Sequence, residues 1–576
     1  MPQTRQPISR NLELEALREA VRWPNPSPRT VLALAGQLLA ARQHDQGRAL
    51  FAERAEQVPA QPLYAALAGF FQALAGSDLD HALDLLDRAV DQAPGVANYL
   101  RGLILAQLPA GFGQAEAAVA DLELVLALPE WAGFPVGLRR AVYPALATAY
   151  AALGRSDDAR AARDRAGPAP ADPDYPALVT DWWVTRDEGF HFGPPRLVQP
   201  ASGVHVAQGF DFADVVAIKT GEGVVLVDTT TSRAHLRAVL AELRTVTMAP
   251  ITHVVLTHAH TDHIGGLDEV RAPGVEVVAQ AHFADELRLQ HASPPILFRP
   301  ADDSGAGRWL DVVPDRLVHA PEKLTIGGAD FELYPITGGE TSDGLVVHLP
   351  DRGVAIVGDM LMPQLGGPFF PEGSAEGLLE SMALVAGLAP RVVIHGHSPL
   401  TALLTIDVFP ALEAALKDLH QRTLEGIREG VPVAELLARN HLPASLRDHP
   451  DAVLPYLVIR DNLIKRVHHQ RTGYWKADGE GIEVLTAAEW AGALDLLGGS
   501  TAEAFVDAGQ DLLGRGDLTL ALRLVDYGLL RHADDQALQG LRRRVLYRLL
   551  ERHQQLSPFK FAIYAAMAGV EVPPAP

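Results

Sequence analysis

The sequence contains no cysteine, so no disulfide can staple it and no thiolate can hold a metal. Any cation it binds must sit on imidazoles and carboxylates. Positive charge is also scarce: 49 Lys and Arg stand against 71 Asp and Glu, a formal net charge of −22. A chain of that sign has no basic surplus to displace counterions from phosphates, which argues against nucleic acid as a partner. It also repels an anionic membrane surface. No apolar run reaches the ~18 residues that a membrane-spanning helix requires. The opening MPQTRQPISRNLELEAL has no apolar centre of the kind a secretory signal needs. No membrane span is therefore expected, and the cytoplasm is the default location.

What remains is an ordinary globular composition, 48% hydrophobic and 21% charged over 576 residues. That length exceeds what one core can organise, so several domains are expected. After a flexible N-terminus (1–28), residues 29–166 read as helices only. QHDQGRALF (43–51), GSDLDHALDLLDRA (76–89) and GRSDDARAARDRA (154–166) each place a polar turn before a helix. A small residue, Ala49, Ala82 or Ala159, then stands where a partner helix must pack closely, and the first two are 33 positions apart. The pattern resembles a degenerate tetratricopeptide array, with stacked helix pairs and a surface for a protein partner. An ordinary helical bundle is the alternative.

The Pro-rich GPAPADPDYP (167–176) opens a linker over 167–203, after which the period changes. VVAIKT, GVVLVD, THVVLT, VEVVAQ, LVVHLP, GVAIVGD and RVVIHG are short β-branched runs bounded by Gly, Pro or Asp. With helical stretches between some of them, 204–402 is expected to be a layered α/β domain, and 403–576 returns to helix.

The chemistry concentrates in THAHTDHIGG (257–266). In an extended segment His258 and His260 project to one side and can share a cation. A turn toward a helix then lets Asp262 and His263 face a second cation, with Gly265 and Gly266 permitting tight turning beneath. This HxHxDH run after a strand resembles the signature of the metallo-β-lactamase superfamily. Further segments match in order: VVLVDTTTS (224–232) with Asp228, GGETSDGLVVHLPDRGVAIVGDML (338–361), and VVIHGHS (392–398). Glu340 stands where that superfamily usually has His, which resembles the alkylsulfatase branch. GFDFADVVAIKTGEGVVLVDT (209–229), LHQRTLEGIREGVPVAELLA (419–438), RTGYW (471–475) and the 500–569 helices resemble that branch too, the latter ones its dimerisation domain.

The resemblance implies an αββα sandwich flanked by N-terminal and C-terminal all-α regions. It implies His258, His260 and Glu340 on one metal, Asp262, His263 and His397 on the other, and Asp359 between them. Asp262 and Asp359 are the implied catalytic carboxylates. Two divalent ions are expected, zinc first, with manganese or iron compatible with so many carboxylates. A metal-bound hydroxide would attack, or activate water on, a small sulfate or other ester. A phosphodiester, thioester or lactone is the alternative substrate, and a repeat scaffold with a residual metal domain the alternative function. The resemblance also implies a homodimer. One departure concerns the substrate: where that branch has a sulfate-holding stretch with Asn and Arg, MLMPQLGGPFFPEGS (360–374) has neither and offers Leu365, Phe369 and Phe370. Arg288 and Arg299 are the candidates to supply the missing guanidinium. His395 is expected to flank the site, His253 and His348 to be structural, His468 and His469 to lie on a solvated face, and His282 and His291 to border the pocket.

Overall fold

In a computed structural model, residues 11–129, 131, 136–166, 178, 180, 182–185, 189–292, 311–362, 373–472, 485–496 and 500–572 are described. The Pro-rich start of the expected linker (167–176) and most of the 360–374 stretch lie outside them. The rest of that linker, however, carries the strands Trp182–Thr185, Gly189–Phe192 and Arg196–Ala201. The N-terminus expected to be flexible carries the helix Leu12–Val21, whose Leu14, Leu17 and Val21 are buried. The chain divides into two compact units: Met1–Arg22, Val31–Asp181 and Leu485–Pro576 form one, Trp23–Thr30 and Trp182–Val484 the other.

The second unit holds the site and is layered as expected. Seven strands lie in chain order from Arg196–Ala201 to Arg316–Val318, antiparallel at first and parallel from Val224–Val227 onward. Five more lie in chain order from Glu322–Ile326 to Val392–His395, of which only the last pair is parallel. Strand alternation assigns the two faces. Val225, Val227, Val255 and Val278 share a core with Phe331, Leu333, Val347, Ile356 and Ile394 of the other sheet. Their neighbours Val224, Leu226, Val254 and Val277 turn the opposite way, onto Leu236, Val239 and Leu243 of the helix Arg233–Leu243. Each fully buried aliphatic side chain of this kind contributes about 1.5–3 kcal/mol, so both sheet faces are covered rather than solvated. The helices Phe409–Arg428 and Val453–Thr472 belong to this unit.

The first unit is helical. Pro28–Ala40, His44–Gln57, Pro62–Leu74 and Leu79–Gln92 follow one another, then Val96–Leu105, Ala115–Leu126, Val136–Ala152 and Ser156–Ala166. Ala82 and Ala159 are fully buried, as their place before a close helix contact suggested. Ala49 is exposed, and the close contact in its helix falls on Gly47 instead, where a Cβ would come within 2.5 Å of the Phe71 ring. Residues 485–576, grouped by sequence with 403–484, cluster with these N-terminal helices. Gln37 Nε2 donates to Arg552 O (3.1 Å) and an Arg548 guanidinium N–H to Ala40 O (2.9 Å). Deleting 1–166 is therefore expected to lower the melting temperature of the remaining helices, read by circular dichroism, and to cause association beyond that of the full chain, read by light scattering. A truncation with unchanged melting and the same number of chains per particle as the full-length protein would show that the C-terminal helices stand alone. Among the described residues, no helix is long and apolar enough to cross a membrane.

Candidate metal centre

The strand Ile251–Val255 runs into buried Leu256, and the chain then leaves the sheet through Thr257. His258 and His260 follow, and Thr261–Ile264 makes a single helical turn carrying Asp262 and His263. Gly265 and Gly266 have φ of −64° and −89°, which any residue adopts, so turning is not what requires them. A Cβ on Gly265 would lie 1.9 Å from Thr231 O, and one on Gly266 2.0 Å from Thr229 O. Glycine is needed because the backbone after Asp228 passes directly against this turn.

Other strand ends complete the site. Asp359 follows the strand Val354–Gly358, and His397 lies two residues past Val392–His395, its parallel neighbour. Glu340 comes from the loop between Ala329–Ile336 and Gly344–Leu349. Carboxyl ends of parallel strands are where layered α/β folds build sites, since loops diverge there and leave a crevice. Two clusters result, His258–His260–Glu340 and Asp262–His263–Asp359–His397, all buried. Every ligand expected from the sequence falls in one or the other.

The donor spacing tests whether a cation fits. Four donors placed tetrahedrally at zinc bond lengths lie about 3.3 Å apart. Glu340 Oε2 is 3.7 Å from His258 Nε2 and 3.6 Å from His260 Nδ1. His263 Nε2 is 3.3 Å from Asp262 Oδ2 and 3.4 Å from Asp359 Oδ2. Moreover, His258 Nε2, Glu340 Oε2 and Asp359 Oδ1 are buried without a hydrogen-bond partner. Leaving such atoms unpaired is costly, and they are a donor set suited to a divalent cation. The residues fit the group.

Electrostatics within the protein agree. Burial depresses His258 well below its ordinary value, helped by His263 and His260. Burial works against protonated His263 and His397, yet the surrounding carboxylates outweigh it. His263 is raised by Asp262, Asp359 and Asp228, and His397 is pushed up to about 9, chiefly by Asp359. Asp359 is in turn held well below the carboxylate range against its burial, by His397 and His263. Burial raises Glu340, with Asp359 and Asp262 adding to it. The cluster thus concentrates negative charge that protons on two imidazoles offset, and a cation competes for those same nitrogens.

Hydrogen bonds behind the clusters orient the rings. His397 Nδ1 lies 2.8 Å from Phe212 O, so its N–H donates there and Nε2 faces Asp359 at 2.9 Å. Asp228, at φ 63°, accepts from Thr257 N, Thr257 Oγ1 and His263 Nδ1, each at 2.8 Å. Thr257 Oγ1 is 3.0 Å from His258 Nδ1. The orienting part expected of Asp228 has this geometry; Thr257 and the Phe212 carbonyl were not singled out in the sequence, where neither residue type carries a signal. The remaining histidines divide. His395 is buried and bonded to Leu404 O (3.0 Å), while His253 faces Glu276 and His348 faces Glu332. His468 bonds Thr472 on its own helix, and the His282 side chain is 58% exposed beside Asp285 and belongs to none of the clusters.

Residues 208–397 match the Metallo-beta-lactamase superfamily. Among curated proteins, a linear primary-alkylsulfatase of Pseudomonas is 24% identical over 371 residues, 58% of this chain and 69% of that protein. A probable metallo-hydrolase of Bacillus subtilis, YqgX, is 31% identical over 158 residues, 26% of this chain and 71% of that one. Among solved structures, the inverting sec-alkylsulfatase Pisa1 of Pseudomonas superposes with a TM-score of 0.53 at 18% identity, covering 65% of each chain. The match thus spans somewhat under two thirds of that alkylsulfatase's length.

Proposed function

Because the chain belongs to the metallo-β-lactamase superfamily, we propose that it is a dinuclear metal-dependent hydrolase resembling the alkylsulfatases, acting on a small sulfate or other ester. The observation that carries this is the pair of adjoining buried clusters, His258–His260–Glu340 and Asp262–His263–Asp359–His397. The first would hold one cation, Asp262, His263 and His397 the second, and Asp359 would lie between them. When bound, two divalent cations supply Lewis acidity and a water whose pKa falls to about 7. Zinc is the proposed metal; the carboxylate share also suits manganese or iron.

The chain's own residues do the rest. Glu340, Asp262 and Asp359 offset the cation charge, and their burial keeps bulk water from screening it. Asp262 Oδ2, 3.3 Å from His263 Nε2 and 3.7 Å from His397 Nε2, would be the carboxylate donor beside the two imidazoles of the second cation. Phe212 O and Asp228 hold the rings of His397 and His263 so that each Nε2 faces the site.

The relative's name points to alkyl sulfates, and the local sequence does not. Leu365, Phe369, Phe370 and Arg299 lie outside the described residues. Arg288 is described: its side chain is 74% exposed and paired with Asp285 at 2.9 Å. A sulfate buried without a matched donor loses several kcal/mol of hydration with no return. Hydrolysis of dodecyl sulfate is therefore expected to be weak beside that of a less charged ester with an apolar group. A panel of dodecyl sulfate, p-nitrophenyl esters, bis-p-nitrophenyl phosphate and a lactone decides it. A kcat/KM for dodecyl sulfate above all the others would establish a sulfatase; no turnover of any, by metal-loaded protein, would remove the hydrolase reading.

A homodimer is part of the same proposal. It rests on the resemblance of the C-terminal region to the dimerisation domain of the alkylsulfatases; Leu485, Trp490, Leu496 and Leu530 are exposed there. A monomer mass by light scattering at micromolar concentration would overturn it.

A further inference from the structure

Outside the paired clusters, a third set of metal-ligating side chains converges: His191, Asp211 and His235, with donor atoms all within 4.8 Å of one another. They come from three separate elements. His191 lies on the strand Gly189–Phe192 of a two-stranded hairpin, Asp211 on the connection after Val204–Gln208, and His235 on the first turn of the helix Arg233–Leu243. His191 and Asp211 are 2% exposed. We propose that these three residues form a separate divalent-cation site, of the zinc class, that fastens the hairpin to the loop carrying Phe212.

Donor chemistry supports a cation. Two imidazoles and one carboxylate are a set that zinc and its first-row neighbours take, leaving a position for water. His235 Nδ1 stands 3.2 Å from Asp211 Oδ2, close to the ~3.3 Å between adjacent donors of a tetrahedral zinc. The ring of His191 is set by its neighbours: it stacks on Trp183 (centroids 3.9 Å apart, planes 6° apart) and meets His235 edge-on at 5.4 Å. Asp211 is fixed too, since its two oxygens accept the backbone N–H groups of Phe212 and Thr231. A ligand held in place by packing and by backbone hydrogen bonds is preorganised for metal, and Asp211 Oδ2, which accepts from Thr231 N–H with one lone pair, keeps a second for the cation.

The placement gives the site a use. Asp211 immediately precedes Phe212, whose carbonyl takes the His397 Nδ1–H at 2.8 Å and whose ring lies 4.3 Å from that imidazole. Phe192, next to His191, stacks on Phe212 at 5.4 Å. A cation on Asp211 thus steadies the segment that positions His397, without touching substrate.

The test counts metal. The full chain, stripped with chelator, reloaded with zinc and desalted, is compared with the double variant His191→Phe, His235→Gln by elemental analysis. Phenylalanine keeps the ring on Trp183. The wild type is expected to hold about one zinc equivalent more per chain than the variant. Because Phe212 links this site to His397, the comparison is repeated in a His258→Ala, Asp359→Ala background, where a difference of about one equivalent belongs to His191, Asp211 and His235 alone. Equal counts in two folded proteins would overturn the proposal and leave a hydrogen-bonded His–Asp–His cluster. Should the variant not fold, cobalt titration of the wild type serves. A cation on His191 quenches the stacked indole, and Trp183→Phe removes that quenching; quenching identical in both proteins overturns the site.

Discussion

Replacing Asp359 by alanine is expected to abolish measurable hydrolysis and to strip bound metal, with a loss in kcat/KM well beyond 100-fold. The lower bound follows because removing groups that merely support a ligand costs about 10–100-fold, and Asp359 faces both imidazoles of its cluster directly. Its Oδ2 is 2.9 Å from His397 Nε2 and 3.4 Å from His263 Nε2, while Oδ1 is buried with no hydrogen bond. Alanine leaves those two imidazoles without the carboxylate that does most to hold the charge on His397 and that shares with Asp262 and Asp228 in holding it on His263. His258→Ala should likewise abolish turnover, through loss of the other cluster. Both variants should keep their helical circular dichroism, because the helical unit contains no residue of either cluster. Elemental analysis and a chromogenic ester assay on each variant provide the check. An Asp359→Ala protein retaining wild-type metal and activity would refute the two-cluster mechanism.

What the sequence disclosed of this site follows from where its residues lie along the chain. His258, His260, Asp262 and His263 fall within six positions, so their convergence is local and the motif displays it. Asp228, Asp359 and His397 each stand just past a β-branched run, which is where strand ends deliver side chains to a crevice. Glu340 sits in a loop with no such cue, and the roles of all four rest on the resemblance. The two glycines after the motif were rightly marked but for the wrong cause: their importance lies in the carbonyls of Thr229 and Thr231 packed against them, a contact more than thirty residues away in sequence. The helical regions show the same limit. Amphipathic spacing announces helices such as Leu79–Gln92, yet nothing near Gln37 signals that its amide will bond Arg552, 515 residues on. His191, Asp211 and His235 were invisible for a similar reason, being single residues on three elements with no shared spacing.

Asp228 is expected to be the residue outside the clusters whose loss does most damage, because one carboxylate orients an imidazole in each. Its Oδ2 accepts the Nδ1–H of His263, which leaves the Nε2 lone pair of that ring facing Asp262 and Asp359. The same oxygen accepts the hydroxyl proton of Thr257. Thr257 Oγ1 is then an acceptor for His258 Nδ1–H at 3.0 Å, so the Nε2 of that ring faces Glu340. Both tautomers are assigned from this network, and both are the ones a metal ligand needs. Asp228→Ala removes the acceptor for three buried donors at once, and each buried group left unpaired costs about 1–3 kcal/mol. The expected result is a fall in affinity of about 10–100-fold for both metals, together with a lower melting temperature. Thr257→Val cuts only the branch to His258, since Asp228 still accepts from His263. It should weaken one metal and spare the other. Metal titration of the two variants, followed by calorimetry, separates these cases. Equal effects of Asp228→Ala and Thr257→Val on both metals would show that the carboxylate does not act through two distinct rings.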